Sequence, residues 1–369
     1  MKNKRLIALD AFRGLTIALM ILVNTPGSWA YVYPPLRHAK WHGCTPTDLV
    51  FPFFLFIIGV AMRFSFKQFD FTLTGDATRK IIGRTFTIFI IGLLLNAFPF
   101  IRQDWDWSHF RIMGVLQRIA LAYGVAAFLA LMSDNKRLLA EISGLLAVYW
   151  FILWFAGGNN PYGMETNFAL TFDRTLLGVN HLWTGNGIPF DPEGLFSTIP
   201  AIATVLIGYH FGTMLQKSSY YKNTVKMMVF QGFGLVLSGW IWSFLFPLNK
   251  QLWTSSYVLF TAGLAVLVLT TFVWLTEIRG WKKLAHPLVI FGTNSIFIFA
   301  GSALWVKTIL RTRFTLDGET ISGYTYLFKT VFQPFAGNMN GSVLFAIFHV
   351  IMWWIILYWL YRKKIFIKI

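Results

Sequence analysis

His38, Trp41 and His42 stand on a polar, aromatic approach that runs into an apolar segment whose opening turn carries Asp48, in RHAKWHGCTPTDLVFPFFLFIIG (37–59). A carboxylate at the point where a chain enters a bilayer is costly, and persists where it has a partner or a task. Histidine has its unperturbed pKa near working pH, so His38 or His42 beside Asp48 points to acid/base or acyl-carrier chemistry. Asn24 ends the preceding apolar segment, Asp48 begins the next, and His38 lies on the loop joining them. The three can converge at the mouth of one helical hairpin, Asp48 orienting the imidazole and Asn24 donating to a developing oxyanion. The competing reading makes His38 an interfacial anchor among Trp29, Tyr31, Tyr33 and Trp41, because aromatic belts collect at that depth.

A second constellation is cationic. Arg111 and Arg118 in FRIMGVLQRIALAYG are seven apart, which on one helix predicts a shared face, with Gln117 beside the second. Inward-facing arginines in a membrane call for an anion, either carboxylate or phosphate. The segments WTGNGIPFDPEGLFSTIPA (183–201) and FPLNKQLWTSSYVLF (246–260) place polar and aromatic groups at helix ends. Asn249, Lys250 and Trp253 read there either as a capped turn or as the wall of a substrate or cofactor site. Asp10 and Arg13, three apart, predict a structural ion pair. His38, His42 and Cys44 suggest a metal cluster, but Pro34, Pro35, Gly43 and Pro46 disfavour the helix that the His spacing needs, and no metal is expected. Signatures of a hydrolase elbow, a P-loop or a dinucleotide fold do not occur.

The elements that must position these residues are membrane helices. Of 369 residues, 56% are hydrophobic and only 13% charged, with a mean hydropathy of +0.58. Soluble domains are about 45–50% apolar and about 25% charged, so too few polar side chains exist here to coat a water-facing surface. Ten segments predict an all-α, polytopic helical bundle: 5–25, 46–66, 81–100, 110–132, 138–157, 197–215, 225–247, 254–275, 287–309 and 341–361. The basic start resembles a signal peptide, but Asp10 and Arg13 interrupt it and it is long enough to span, so a retained first helix is expected. A net charge of +17 invites a nucleic-acid reading, yet the basic residues sit in short runs between apolar segments, as beside an anionic leaflet. With a cytoplasmic amino terminus, inner segments hold 19 Lys and Arg, among them Lys2, Lys4, Arg5 and Lys368, against 8 outside, among them Arg102. That bias places both termini in the cytoplasm and His38 on the far side. Outer loops are expected at 26–45, 158–196 and 310–340, and residues 1–369 are expected to form a single transmembrane domain. The lone Cys44 permits no internal disulfide.

Several long segments, in order, resemble the heparan-α-glucosaminide N-acetyltransferase family of transmembrane acyltransferases. They are LDAFRGLTIALMILVN (9–24), HAKWHGCTPTDLVFPFFLFIIG (38–59), RIMGVLQRIALAY (111–123), DPEGLFSTIPAI (191–202), PLNKQLWTSSYVLFTAG (247–263) and GTNSIF (292–297). The resemblance is to a compact bacterial form without the large luminal domain of the animal enzymes. It implies transfer of an acetyl group from cytoplasmic acetyl-CoA to the amine of glucosamine, or of a glucosamine-terminated glycosaminoglycan such as heparan sulfate, on the periplasmic side. It also implies an integral protein of the bacterial inner membrane, with a homodimer allowed and no nucleic-acid partner. The family's essential histidine falls on His38, its acid on Asp48 and its asparagine on Asn24. Gln117 and Arg118, with Arg111, Asn249, Lys250, Trp253 and Asn294, are expected along the acetyl-CoA path. His38 can act as base in a ternary complex or as acetyl carrier in a ping-pong scheme. The rival from another class is a carrier moving an aminosugar or its acetylated form without covalent chemistry.

Overall fold

A computed structural model describes residues 6–101, 105–218 and 220–367. Lys2, Lys4, Arg5, Arg102 and Lys368, which enter the charge asymmetry, lie outside the described residues. The chain is all-α and polytopic. Among the described residues, nine helical segments are long and apolar enough to cross a membrane, or ten if one bent pair is a single span. The helices in chain order are α1 (Ile7–Asn24), α2 (Val50–Ser65), α3 (Gly75–Ala97), α4 (Val115–Met132), α5 (Asn135–Ala156), α6 (Phe168–Leu177), α7 (Thr198–Gln216), α8 (Tyr221–Trp242) and α9 (Ser255–Val273). They continue with α10 (Lys282–Thr293), α11 (Ser295–Arg311), α12 (Gly323–Leu327) and α13 (Gln333–Arg362). A hairpin of β1 (Arg313–Leu316) and β2 (Glu319–Ser322) supplies the only sheet among the described residues.

The chain divides into two compact units. The first comprises Met1–His38, Thr45–Val50 and Gly280–Ile369; the second comprises Ala39–Cys44 and Phe51–Arg279. In the first unit α1 and α10 meet backbone to backbone. A Cβ at Gly14 would lie 1.7 Å from the Leu288 carbonyl oxygen, and one at Gly292 would lie 2.2 Å from that of Asp10. In lipid, where apolar burial gives no advantage, such close approach of small residues is a main source of helix association. Arg13 Nη1 lies 3.3 Å from Asp10 Oδ1 and 3.4 Å from the Gly292 carbonyl, so the expected ion pair also spans this contact. The segment after α1 is stitched to the same unit. Tyr324 donates to the Pro26 carbonyl at 2.6 Å, Gly27 N–H to that of Ser342 at 3.1 Å, and Tyr33 to Asn340 Oδ1 at 2.6 Å.

The ninth expected span, 287–309, is not one helix. It breaks at Asn294 into α10 and α11, bent by 67°. Asn294 is buried, its Nδ2 donating to the Ile365 carbonyl at 3.1 Å and its Oδ1 accepting from Ile367 N–H at 2.7 Å. At the break it is the Asn294 side-chain amide that binds backbone groups of the segment following α13. Two of the expected loops are likewise ordered elements. The 158–196 stretch contains α6, and the 310–340 stretch contains the hairpin, α12 and the start of α13.

In the second unit α7 is the most enclosed of the long helices, with most of its residues buried. Gly59 of α2 lets the Val205 carbonyl of α7 approach to 1.9 Å of where its Cβ would be, and Gly208 does the same for the Phe56 carbonyl at 2.1 Å. Tyr149, Leu153, Ala169, Leu170, Phe190, Phe196, Phe246 and Leu252 form an aromatic-rich core beside it.

Gly14→Leu and Gly292→Val are each expected to prevent the approach of α1 to α10 and to abolish the folded species in detergent. Gly144→Ala, on α5 with nothing within 4 Å of the added carbon, is expected to leave the melting temperature unchanged or slightly raised. Thermal denaturation followed by size-exclusion chromatography measures both, and tolerance of the first two substitutions would contradict the close-contact account.

Candidate active site

Thr45, Pro46, Thr47 and Asp48 form a capped turn at the head of α2. Pro46 enters a 3-10 turn over Pro46–Leu49, and Thr45 and Asp48 have the Thr-x-x-Asp spacing of a capping box. Asp48 Oδ2 accepts the Thr45 backbone N–H at 3.0 Å and lies 2.9 Å from the Thr45 hydroxyl. The other oxygen, Oδ1, lies 2.6 Å from His38 Nδ1. The side chain of Asp48 is 1% exposed while that of His38 is 41% exposed, so a buried acid holds an accessible ring. An ionised carboxylate only accepts, so Nδ1 carries a hydrogen, and in a neutral ring Nε2 is the nitrogen that can take a proton. This is the tautomer a general base requires.

His42 receives the opposite treatment. Its Nδ1 lies 3.3 Å from Asn249 Nδ2, in the second unit. The amide is oriented, because Asn249 Oδ1 accepts Leu252 N–H at 2.8 Å, so Nδ2 donates and His42 carries its hydrogen on Nε2. Partial desolvation lowers the His42 pKa below the ordinary histidine value. Of the two candidate imidazoles, His38 is the one paired with Asp48. Asn24 ends α1 with one amide N–H given to the Met20 carbonyl at 2.9 Å, and no hydrogen bond to His38 or Asp48 is seen among the described residues.

The arginines differ from expectation. Helix α4 begins at Val115, so Arg111 precedes it and does not share a helical face with Arg118. Asn96 Nδ2 grips the preceding segment through the carbonyls of Arg111 at 3.0 Å and Met113 at 3.3 Å. Arg111 makes a two-pronged bridge to Asp191, both contacts at 2.8 Å, and a third contact to Glu193 at 2.8 Å. Burial opposes the Arg111 charge, but the two carboxylates outweigh it and hold the guanidinium more firmly protonated than usual. The anion that Arg111 called for is thus supplied by the chain itself, in the DPEG turn.

Arg118 is fully buried. Its Nη2 donates to the Gly194 carbonyl at 3.2 Å and to the Ser197 hydroxyl, and its guanidinium carbon lies 5.1 Å from the centre of a Trp253 ring. Its Nε and Nη1 have no hydrogen-bond partner, nor does Gln117 Nε2 on the adjacent residue. These are donors of the kind a carbonyl- or phosphate-bearing ligand satisfies. Trp253 is set by the NKQLWT turn, where Asn249 N–H donates to Thr254 Oγ1 at 3.1 Å and Trp253 N–H to the Lys250 carbonyl at 3.1 Å. That turn forces Trp253 to φ +52°, a left-handed conformation costing about 1–2 kcal/mol in a bulky residue. The turn is capped from both ends, by Asn249 Oδ1 and by Thr254 Oγ1. Among the described residues no group of three or more His, Cys, Asp or Glu is gathered as a metal would need.

Asp173, Asp191, Glu193 and Ser197 were not singled out from sequence, although the DPEG run was a visible signal. Gly194 is required here, since a Cβ would lie 1.8 Å from Asp173 Oδ2. Asp173 accepts Phe196 N–H at 3.0 Å, and burial raises its pKa to about 6. A carboxyl with a raised native pKa binds its proton more tightly folded than unfolded, so stability falls as pH rises from about 4 through 6. Relative to Asp173→Asn, the wild type is expected to lose on the order of 3 kcal/mol across that window. Paired denaturation curves at pH 4, 5 and 7.5 test this, and a pH-independent difference between the two proteins would contradict it.

A family profile described as "Heparan-alpha-glucosaminide N-acetyltransferase, catalytic" matches residues 5–239, a stretch holding Asn24, His38, Asp48, Arg111 and Arg118. The chain is 28% identical to heparan-alpha-glucosaminide N-acetyltransferase of Homo sapiens and 27% identical to that of Mus musculus, in each case over 99% of this chain. It spans 60% of the length of those relatives. With the profile covering more than half its length, the chain belongs to the heparan-alpha-glucosaminide N-acetyltransferase catalytic family.

Proposed function

We propose that this protein is a membrane N-acetyltransferase that moves the acetyl group of cytoplasmic acetyl-CoA to the amine of a glucosamine, or of a glucosamine-terminated saccharide, on the periplasmic side. The observation that carries this reading is the His38–Asp48 pair, an accessible imidazole held through Nδ1 by a buried carboxylate at 2.6 Å. Bound acetyl-CoA would supply an acyl group activated as a thioester. Arg118 and Gln117 would hold it, through donors that are otherwise unpartnered.

His38 Nε2 takes the proton that the amine must lose as the new nitrogen–carbon bond forms, and returns it to the departing sulfur. Asp48 stabilises the imidazolium during that interval, and its fixing by Thr45 keeps the ring from turning. Direct transfer within a ternary complex suits this arrangement better than acetylation of the ring, because the carboxylate on Nδ1 holds the ring in the tautomer a general base needs. Asn24 has a second amide N–H beyond the one given to Met20, and serves as a donor to the reacting carbonyl. The basic bias of the inner segments supports cytoplasmic termini and a far-side His38.

Purified protein in detergent, given acetyl-CoA and glucosamine, is expected to yield N-acetylglucosamine. His38→Ala is expected to abolish product with the fold intact. Asp48→Asn should lower kcat by about a hundredfold or more, since an amide donating to Nδ1 selects the wrong tautomer. Absence of product from the wild type, with uptake of the sugar into proteoliposomes, would replace the enzyme by a carrier.

A further inference from the structure

Arg118 combines two properties that rarely coincide. It is fully buried in the second unit, and its Nε and Nη1 groups have no hydrogen-bond partner. Gln117, 1% exposed, has an unpartnered Nε2 as well. A buried donor left unmade costs about 1–3 kcal/mol, more on a charged group, so such atoms are retained where something else completes them.

The surroundings decide what kind of acceptor that is. Arg118 and Arg111 are accompanied by Asp191, Glu193 and Asp173, whose charges all act favourably on Arg118. Asp191 and Asp173 are themselves buried. The cluster therefore already holds more carboxylates than guanidiniums. Bringing a phosphate here would add further negative charge to a largely buried cluster in which three acids already outnumber two guanidiniums, and would also have to be stripped of its water. A neutral carbonyl oxygen has no such penalty. It completes an N–H donor without altering the local charge. Trp253, 5.1 Å from the guanidinium carbon, adds an apolar wall that suits an uncharged chain better than a hydrated anion.

We propose that Arg118 donates to an uncharged carbonyl on the amide-bearing arm of the acyl donor, and that the donor's phosphates are held elsewhere. This rests on the acetyl-CoA reading above and refines it by assigning Arg118 to one chemical part of that molecule.

The test uses wild type and Arg118→Lys, which keeps the charge but lacks the fork of N–H groups, with three probes in detergent. Acetyl-CoA carries amides and phosphates, S-acetylpantetheine carries the amides alone, and adenosine 3′,5′-bisphosphate carries phosphates alone. Equilibrium binding is expected to show acetyl-CoA and S-acetylpantetheine weakened by the same factor, about tenfold or more. Bisphosphate affinity is expected to be unchanged. Loss confined to acetyl-CoA and the bisphosphate would assign Arg118 to the phosphates and overturn the proposal. Unchanged affinity for all three would mean that water completes the donors, and would overturn it too. Should Arg118→Lys fail to fold, the wild type alone decides. S-acetylpantetheine should compete with acetyl-CoA at least tenfold better than an S-acetyl alkanethiol of equal length, and equal competition would overturn the proposal. If the wild type binds neither acetyl-CoA nor S-acetylpantetheine, the acyl-donor reading fails and carries this inference with it.

Discussion

An ionised group taken out of water must be given back, by the protein, the partners it has lost. Both chemically suggestive regions of this chain are built around that constraint. Asp48 is nearly inaccessible, and its two oxygens divide their acceptor capacity between His38 on one side and the Thr45 cap on the other. The acid is not simply beside the histidine. It belongs to the turn that starts α2, so the geometry of the pair is inherited from the geometry of a helix start. A buried charge used in this way contributes little to stability, and its value lies in holding one tautomer of one ring.

The arginine cluster answers the same constraint with opposite sign. Arg111 is matched almost completely, by a bidentate and a third contact to acids of the DPEG turn. Arg118, fully buried, keeps two of its donor groups without a hydrogen-bond partner. That difference separates a residue that locks a turn from one with capacity left for a ligand. The lock is tight because Gly194 has no side chain to keep Asp173 away, so the acids gather over a backbone that yields them room.

Helix association follows another rule, since lipid removes the usual reward for apolar burial. Glycine contacts do that work in each unit, Gly14 and Gly292 in the first and Gly59 and Gly208 in the second. The bent pair α10–α11 shows where regular helix is given up. Asn294 stands at the break, buried, with both ends of its amide engaged by the backbone after α13.

Much was legible in the sequence because it is local. Composition and runs of apolar residues determined a membrane protein with helices close to the expected bounds, and the apolar run beginning near Asp48 placed that acid in the opening turn of a helix. The Asp10–Arg13 pair, three residues apart, was equally readable. What the tertiary structure decided were the pairings between distant residues: His38 rather than His42 for Asp48, and Asp191 for Arg111 across 80 positions of chain. It also decided that α4 starts after Arg111, and that a segment long enough to span breaks instead at Asn294. The physical reason is the same in each case. Periodicity records which face of an element is apolar, but the partner of a buried charge is chosen by packing, and packing between remote segments leaves no repeating mark in either one.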